Sequence, residues 1–453
     1  MFSKETYMAR RAKLKQTIGS GLLLFLGNDE SGMNYADNTY HFRQDSTFLY
    51  FFGLPYAGLS AIIDIDNDKE IIFGDELTID AIVWMGTQPT LKEKSEAAGI
   101  KEVRPFKEIE TYLKNAQQKG QPIHYLPTYR AEHQIKLFQW LGIVPGAEKP
   151  SVPFIMGVVN QRNYKSEEEI AEIEKACIVT ADMHLTAMRT VRPGIRESDV
   201  AEVAFANNYQ LSFPIIATIN GQTLHNHDHS HMIKSGDMLL LDAGAETEMG
   251  YAGDMSSTIP ADSKFTTRQK DIYDIQVAAH EAAVAALRPG IPFVDVYELS
   301  CKVIMEGLKD LGFVKGDPME AVKAGAHAMF MPCGLGHMMG LDVHDMENLG
   351  EVYVGYDGQP KSTEFGRKSL RLGRKLEPGF VLTIEPGVYF IPELMDLWRG
   401  QNKFTEFINY EKLFTYKDFS GIRNEEDYLI TENGARLLGK KIPLRTEEVE
   451  AIR

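Results

Sequence analysis

Two carboxylates mark where this sequence could do chemistry. In residues 234–260 an apolar run, Met238-Leu239-Leu240-Leu241, delivers Asp242, and a glycine-rich return of a dozen residues delivers Asp254. The run is too short for a capped helix and predicts a buried strand, with Gly244 and residues 250–253 as the turn and partner strand of a hairpin. An acid at the end of an apolar strand is expensive to desolvate unless a positive charge neutralises it. Two of them on adjacent strands point to a hard cation held by oxygen ligands. Taken alone, the segment reads slightly better as a turn aspartate plus a capping aspartate.

Residues 375–389 shift that balance. They repeat the design with glutamate: Gly236 to Asp242 and Gly379 to Glu385 are both six positions, each filled by an apolar strand. Downstream, Gly421-Ile422-Arg423-Asn424-Glu425-Glu426-Asp427 leads into the strand Tyr428-Leu429-Ile430. The result is two strand pairs with two acids each, Asp242 with Asp254 and Glu385 with Glu425. Between them lies GLGHMMGLDVHD, residues 334–345. A lone histidine beside apolar residues is usually a core residue. Here His337, flanked by glycines that allow close backbone approach, would complete an oxygen-rich set with one imidazole. Five such ligands suit two divalent ions sharing bridging carboxylates. Hard oxygens with one nitrogen favour Mn²⁺, Fe²⁺ or Co²⁺ over a sulfur-rich structural zinc site.

The elements that must position these residues follow from the rest of the chain. Its 453 residues suffice for two domains, and 43% hydrophobic with 25% charged residues is a globular composition. A net charge of -16 without a basic block argues against nucleic acid. No run of 18 apolar residues predicts a membrane span, and the charged start MFSKETYMARRAKLKQ carries no secretory core. Three widely spaced cysteines, Cys177, Cys301 and Cys333, fit free thiols in a reducing cytoplasm. An N-terminal basic helix, alternating strands and helices to about Leu141, and the aromatic segment 41–53 predict a mixed α/β domain. That aromatic segment reads as core, or as a face for a partner subunit. Residues 145–161, with three prolines and little periodicity, place the boundary. The domains are expected at 1–160 and 161–453.

In the second domain, a helix from Ser166 to about Thr190 stops at Arg192-Pro193-Gly194-Ile195, and another from about Arg268 to Leu287 stops at Arg288-Pro289-Gly290-Ile291. This internal repeat implies two similar α/β halves whose strands meet around the four acids.

The set LLLDAGAE, YAGDMSST, GLGHMMGLDVHD, LTIEPG and GIRNEED resembles the pita-bread metallopeptidases, in particular the proline-specific branch of prolidase and aminopeptidase P. HFRQDSTFLYFFG and VWMGTQPTLKEK resemble that branch's N-terminal domain, so the likeness covers nearly the whole chain. Creatinase shares the fold but lacks the metal ligands, and some relatives are non-catalytic binding modules; the intact set of five argues against both. The resemblance implies that Asp242 chelates one ion, His337 and Glu385 the other, and that Asp254 and Glu425 bridge. Two ions, Mn²⁺ first with Co²⁺, Fe²⁺ or Zn²⁺ as alternatives, would favour ionisation of the attacking water. Glu385 would move a proton towards the leaving proline nitrogen. His225, seventeen positions before Asp242, and His344 match histidines that contact the scissile carbonyl. His227, His229 and His231 read as a solvated loop.

Arg371 falls where prolidases have an arginine that clamps a dipeptide's carboxylate, and Arg423 matches one present throughout the branch, which the resemblance implies braces the bridging Glu425. Residues 350–365 and 391–419 look like prolidase insertions. One position departs from the family: Cys333 stands where another histidine is usual, four residues before His337, and reads as a buried thiol packed under the loop. The expectation is a cytoplasmic Xaa-Pro peptidase, dipeptidase before aminopeptidase, taking Xaa-Pro dipeptides or peptides with proline second. No nucleic-acid or membrane partner is expected, and the resemblance implies a homodimer.

Overall fold

The computed structural model describes residues 1–204 and 210–453. The chain divides into two units, residues 1–162 with 346–353, and residues 163–345 with 354–453.

In the first unit, Ser3 caps helix α1 (Lys4–Ile18) by accepting from the Thr6 N–H, and Gly19 ends it. Five strands then form one sheet: β1 (Leu22–Leu26), β2 (Ser60–Asp64), β3 (Lys69–Phe73), β4 (Glu102–Arg104) and β5 (Ile123–His124). Their order is β4-β3-β2-β1-β5, antiparallel at β1–β2 and β2–β3 and parallel at both edges. Leu22, Leu24, Ile62, Ile71 and Phe73 pack with Leu113, Leu137 and Trp140 into its core.

Most of the aromatic segment is core, while His41 is exposed and Phe42 and Arg43 are half-buried. The segment forms helix α2 (Ser46–Phe52), capped by Asp45, with Phe48, Phe51 and Phe52 wholly buried. Phe25 meets Phe52 and Phe154 edge to face, with both ring centroids 5.0 Å away. The side chains fill this unit's own interior, where burying large aromatics yields most. Residues 145–161 are also not irregular throughout: α3 (Val152–Arg162) buries Phe154, Ile155, Val158 and Val159. Pro153 sits in its first turn, where a missing N–H costs nothing.

The second unit carries the repeat. Ser166 and Glu169 make a capping box for α4 (Glu167–Thr190), followed by α5 (Glu197–Ala204). Strand β6 (Ile216–Thr218) pairs with β7 (Met238–Ala243), which pairs on its other side with β8 (Met255–Pro260). Thus β7's hairpin partner begins at Met255, beyond the expected 250–253. Within the expected stretch only Ala252 pairs, in an antiparallel bridge to Glu246, and residues 247–251 make the turn, closed by the Thr247 N–H donating to Tyr251 O at 2.9 Å. The second half has α6 (Thr267–Ala286), α7 (Phe293–Asp310), β9 (Val381–Ile384), β10 (Gly387–Tyr389), β11 (Gly421–Arg423), β12 (Glu426–Thr431) and β13 (Gly434–Leu437). Strand order is β9-β12-β13, with β10 and β11 as a separate pair.

The duplicated frame closes by equivalent bonds. Gly194 N–H donates to Ile233 O and Ile233 N–H to Ile195 O, both at 2.9 Å; Gly290 donates to Leu376 O at 2.7 Å and Leu376 to Ile291 O at 2.9 Å. Ile233 and Leu376 each lie three positions before a glycine, Gly236 or Gly379, with φ of 90°. Only glycine takes that turn without strain. Among the described residues no helix is long and apolar enough to cross a membrane.

Candidate metal centre and its cavity

The five expected ligands converge. Asp242 lies on β7 opposite Ser256, Asp254 immediately precedes β8, and Glu385 follows β9. Glu425 sits between β11 and β12 and bridges to Ser256. Carboxylate and imidazole atoms of Asp254, His337 and Glu425 lie within 4.8 Å of one another. His337 Nε2 is 3.4 Å from Asp254 Oδ2 and 3.7 Å from Glu385 Oε1. All five line a cavity of about 510 Å³.

Burial, then the neighbouring acid Asp242, pushes Asp254 well above the usual carboxylate range. Burial and then Asp254 do the same to Glu425. Glu385 is raised by burial against the pull of His337. Asp242 Oδ1 is buried without a hydrogen-bond partner. An orphaned carboxylate oxygen beside the buried Asp254 and Glu425 and the half-buried Glu385 is the donor set a divalent cation requires. The residues present fit the metal ions.

The histidine is fixed from behind. His337 Nδ1 is 3.1 Å from Met338 O, so it carries the proton and leaves Nε2 as the ligand atom. The Thr383 N–H donates to His337 O at 3.0 Å. The His337 N–H donates to Thr383 Oγ1 at 3.2 Å. A Cβ on Gly336 would sit 2.0 Å from Thr383 O, so this approach requires glycine. Beyond it, Lys165 Nζ meets Asp345 Oδ2 at 2.9 Å, with both side chains 1% exposed. Asp345 N–H donates to Met338 O, which closes the turn bearing His344.

Arg423 does not reach Glu425 directly. Its Nη2 donates to Asp242 Oδ2 at 2.7 Å, Nε to Ser256 Oγ at 3.0 Å, and Nη1 to the Tyr389 hydroxyl at 2.9 Å. Ser256 Oγ in turn donates to Glu425 Oε2 at 2.8 Å. The extended fork points the guanidinium across the strands to the opposite acid, and one serine relays it to Glu425. Ser256, Tyr389 and Asp427 were not anticipated. Asp427 accepts from the Asp254 N–H and the Cys177 thiol, each at 3.1 Å. The signal was faint: a serine two positions after one acid and an aspartate two after another.

Of the histidine loop, His225 and His227 line the cavity, while His231 Nδ1 meets Glu197 Oε2 at 2.9 Å. Burial, then Arg423, holds His225 below the ordinary imidazole value. His344 stacks edge-on against His337, with centroids 4.3 Å apart, and it and Arg371 line the same cavity. Cys333 also lines this cavity, where the sequence reading has a thiol packed under the loop. Burial, then Glu385, pushes that thiol up to about 12.

The family model described as Metallopeptidase family M24 matches residues 171–432, and that of the aminopeptidase P N-terminal domain matches residues 7–124. The chain belongs to metallopeptidase family M24. It is a metal-dependent exopeptidase. Human Xaa-Pro dipeptidase is 29% identical over 98% of this chain and 91% of its own length. The Xaa-Pro aminopeptidase of Escherichia coli K12 is 31% identical over 99% and 98%. Among solved structures, E. coli aminopeptidase P with the inhibitor Pro-Leu superposes with a TM-score of 0.80 at 29% identity, covering 100% of this chain and 98% of that one. Proline aminopeptidase P II from Yersinia pestis gives 0.81 at 26%, covering 100% and 99%. The M24 match spans every candidate ligand, and family membership carries a requirement for divalent metal.

Proposed function

We propose that this M24 peptidase hydrolyses the Xaa-Pro bond at a free N-terminus, and that dipeptides are its main substrates. Asp242, Asp254, His337, Glu385 and Glu425 would hold two divalent cations, with Mn²⁺ the first choice for so hard a donor set. When bound, the ions neutralise the crowded acids and make water ionisable near neutral pH. Glu385 takes the attacking water's proton on its carboxylate and delivers it to the leaving prolyl nitrogen. His225 and His344 donate to the scissile carbonyl oxygen as it gains charge. Arg423 holds Asp242 in place, and Arg371 receives the substrate's C-terminal carboxylate as a planar two-pronged donor.

The observation that carries the dipeptidase reading is Arg371 on the wall of the cavity that all five ligands share. An end-capping arginine there limits substrate length. The aminopeptidase reading has its own support, since the chain spans 98% of the E. coli Xaa-Pro aminopeptidase. Release of proline from Ala-Pro, compared with cleavage of Ala-Pro-Ala, separates the two. Efficient turnover of the tripeptide alone reverses the choice. Three free cysteines support a reducing, cytoplasmic setting. A homodimer is supported by the residues Ile79, Val83 and Trp84, which expose 77%, 74% and 87% of their surface. Sedimentation equilibrium tests it.

A further inference from the structure

We infer that Glu197 is the positioning residue for His225, acting through a hydrogen-bond relay from Glu197 to Thr218 to Asn226. The inference rests on the role given to His225 above.

The loop from residue 219 to 231 brings Leu224, His225 and His227 to the cavity wall. A loop of this length samples many conformations unless its ends and middle are tied down. Glu197, wholly buried at the start of α5, ties both ends. Its Oε1 accepts from Thr218 Oγ1 at 3.1 Å and from the Ile219 N–H at 2.8 Å, where the loop leaves β6. Its Oε2 accepts from the His231 N–H at 3.1 Å and faces His231 Nδ1 at 2.9 Å, where the loop ends. A carboxylate only accepts, so four donors on one buried group fix its orientation.

The middle is tied through Thr218, also wholly buried. Its Oγ1 accepts from the Asn220 N–H and from Asn226 Nδ2, each at 3.0 Å. With those two bonds accepted, its single proton goes to Glu197. Asn226 directly follows His225, so the buried carboxylate sets the backbone on which the imidazole stands. Separate anchors hold the surroundings: Ser420 Oγ bonds Ile219 O and receives the Gly221 N–H, both at 2.8 Å. The Glu197 and Ser198 N–H groups donate to His231 O and His229 O. Loss of the relay therefore leaves the fold in place and frees the His225 turn.

Glu197→Gln must turn its amide NH₂ towards donors at one end of the loop and open it. Thr218→Val, nearly the same shape, removes the relay and the acceptor of the Asn220 N–H while leaving the Glu197 bonds to Ile219 and His231, and Thr218→Ser restores the hydroxyl. The assay uses the Mn²⁺-loaded full chain with Ala-Pro, with metal content and melting temperature measured for each variant. We expect Thr218→Val to lower kcat about tenfold, with KM and metal content within about twofold, as a small misplacement of a catalytic group does. Thr218→Ser should return near-parental kcat. In a His225→Ala background, Thr218→Val should cost less than about twofold, because coupled sites are not additive. If His225→Ala is impaired but Thr218→Val is not, or if the two losses multiply, Glu197 does not act through His225. If His225→Ala itself turns over normally, the assigned role of His225 falls, and this inference falls with it.

Discussion

Lys165→Met removes the ammonium that faces Asp345 across 2.9 Å, in a place where each side chain keeps only 1% of its surface. Breaking a buried pair from one side strands a charge that water cannot reach, which costs about 3–5 kcal/mol. At roughly 2–4 °C per kcal/mol for a unit of this size, the metal-loaded enzyme should melt ~6–20 °C lower. Asp345→Asn on top of Lys165→Met removes the stranded charge and keeps an oxygen for the Asp342 N–H, which Asp345 Oδ1 now accepts at 3.3 Å. The double variant should therefore melt above the single one. Because Asp345 closes the turn that carries His344, the single variant should also lose kcat while retaining its metal. Differential scanning calorimetry with parallel Ala-Pro kinetics reads both effects. A melting shift under about 2 °C, or a double variant less stable than Lys165→Met, would refute the pair's role in holding that turn.

Asp254→Ala or Glu425→Ala should reduce activity to background and empty the site, read as metal per chain by mass spectrometry; near-normal rates would contradict the bridging assignment. The metal-free enzyme should lose stability as pH rises. Burial raises the Asp254 and Glu425 pKa values when folded, so the folded state holds protons that the unfolded chain releases above about pH 4. Melts in chelator should fall steadily from about pH 5 to 8, and added Mn²⁺ should flatten that slope. Cys333, with its thiol pushed up to about 12, should resist iodoacetamide at pH 8 in the native enzyme, leaving activity unchanged.

The duplicated frame was legible because its requirement is local. A glycine at φ 90° six positions before an acid is a backbone demand, and it is written twice. The ligand acids were legible because charged residues at the ends of apolar strands need a partner. Ser256 was not, since its value depends on Glu425, 169 positions away, and a serine in a strand carries no such demand by itself. Arg423 was visible as a charge, but the acid it serves depends on how β7 and β11 face each other. The aromatic run at Phe48–Phe52 announced burial without saying against what. Pro153 disguised a helix because a proline in the first turn looks like one in a linker. Residues 346–353, which join the first unit, carry no local mark of doing so.

Arg423 and Asp242 meet from positions 181 residues apart, and that separation has a consequence for biosynthesis. The ribosome releases Asp242 and Asp254 long before it releases Arg423 and Glu425. During that interval the early acids have neither their guanidinium nor their later carboxylate partners. Metal capture must therefore come after the second half has emerged, as a late event in maturation rather than a seed for it. Closing so long a loop is slow, so the nascent first half spends that time exposed to whatever cations and chaperones the cell supplies.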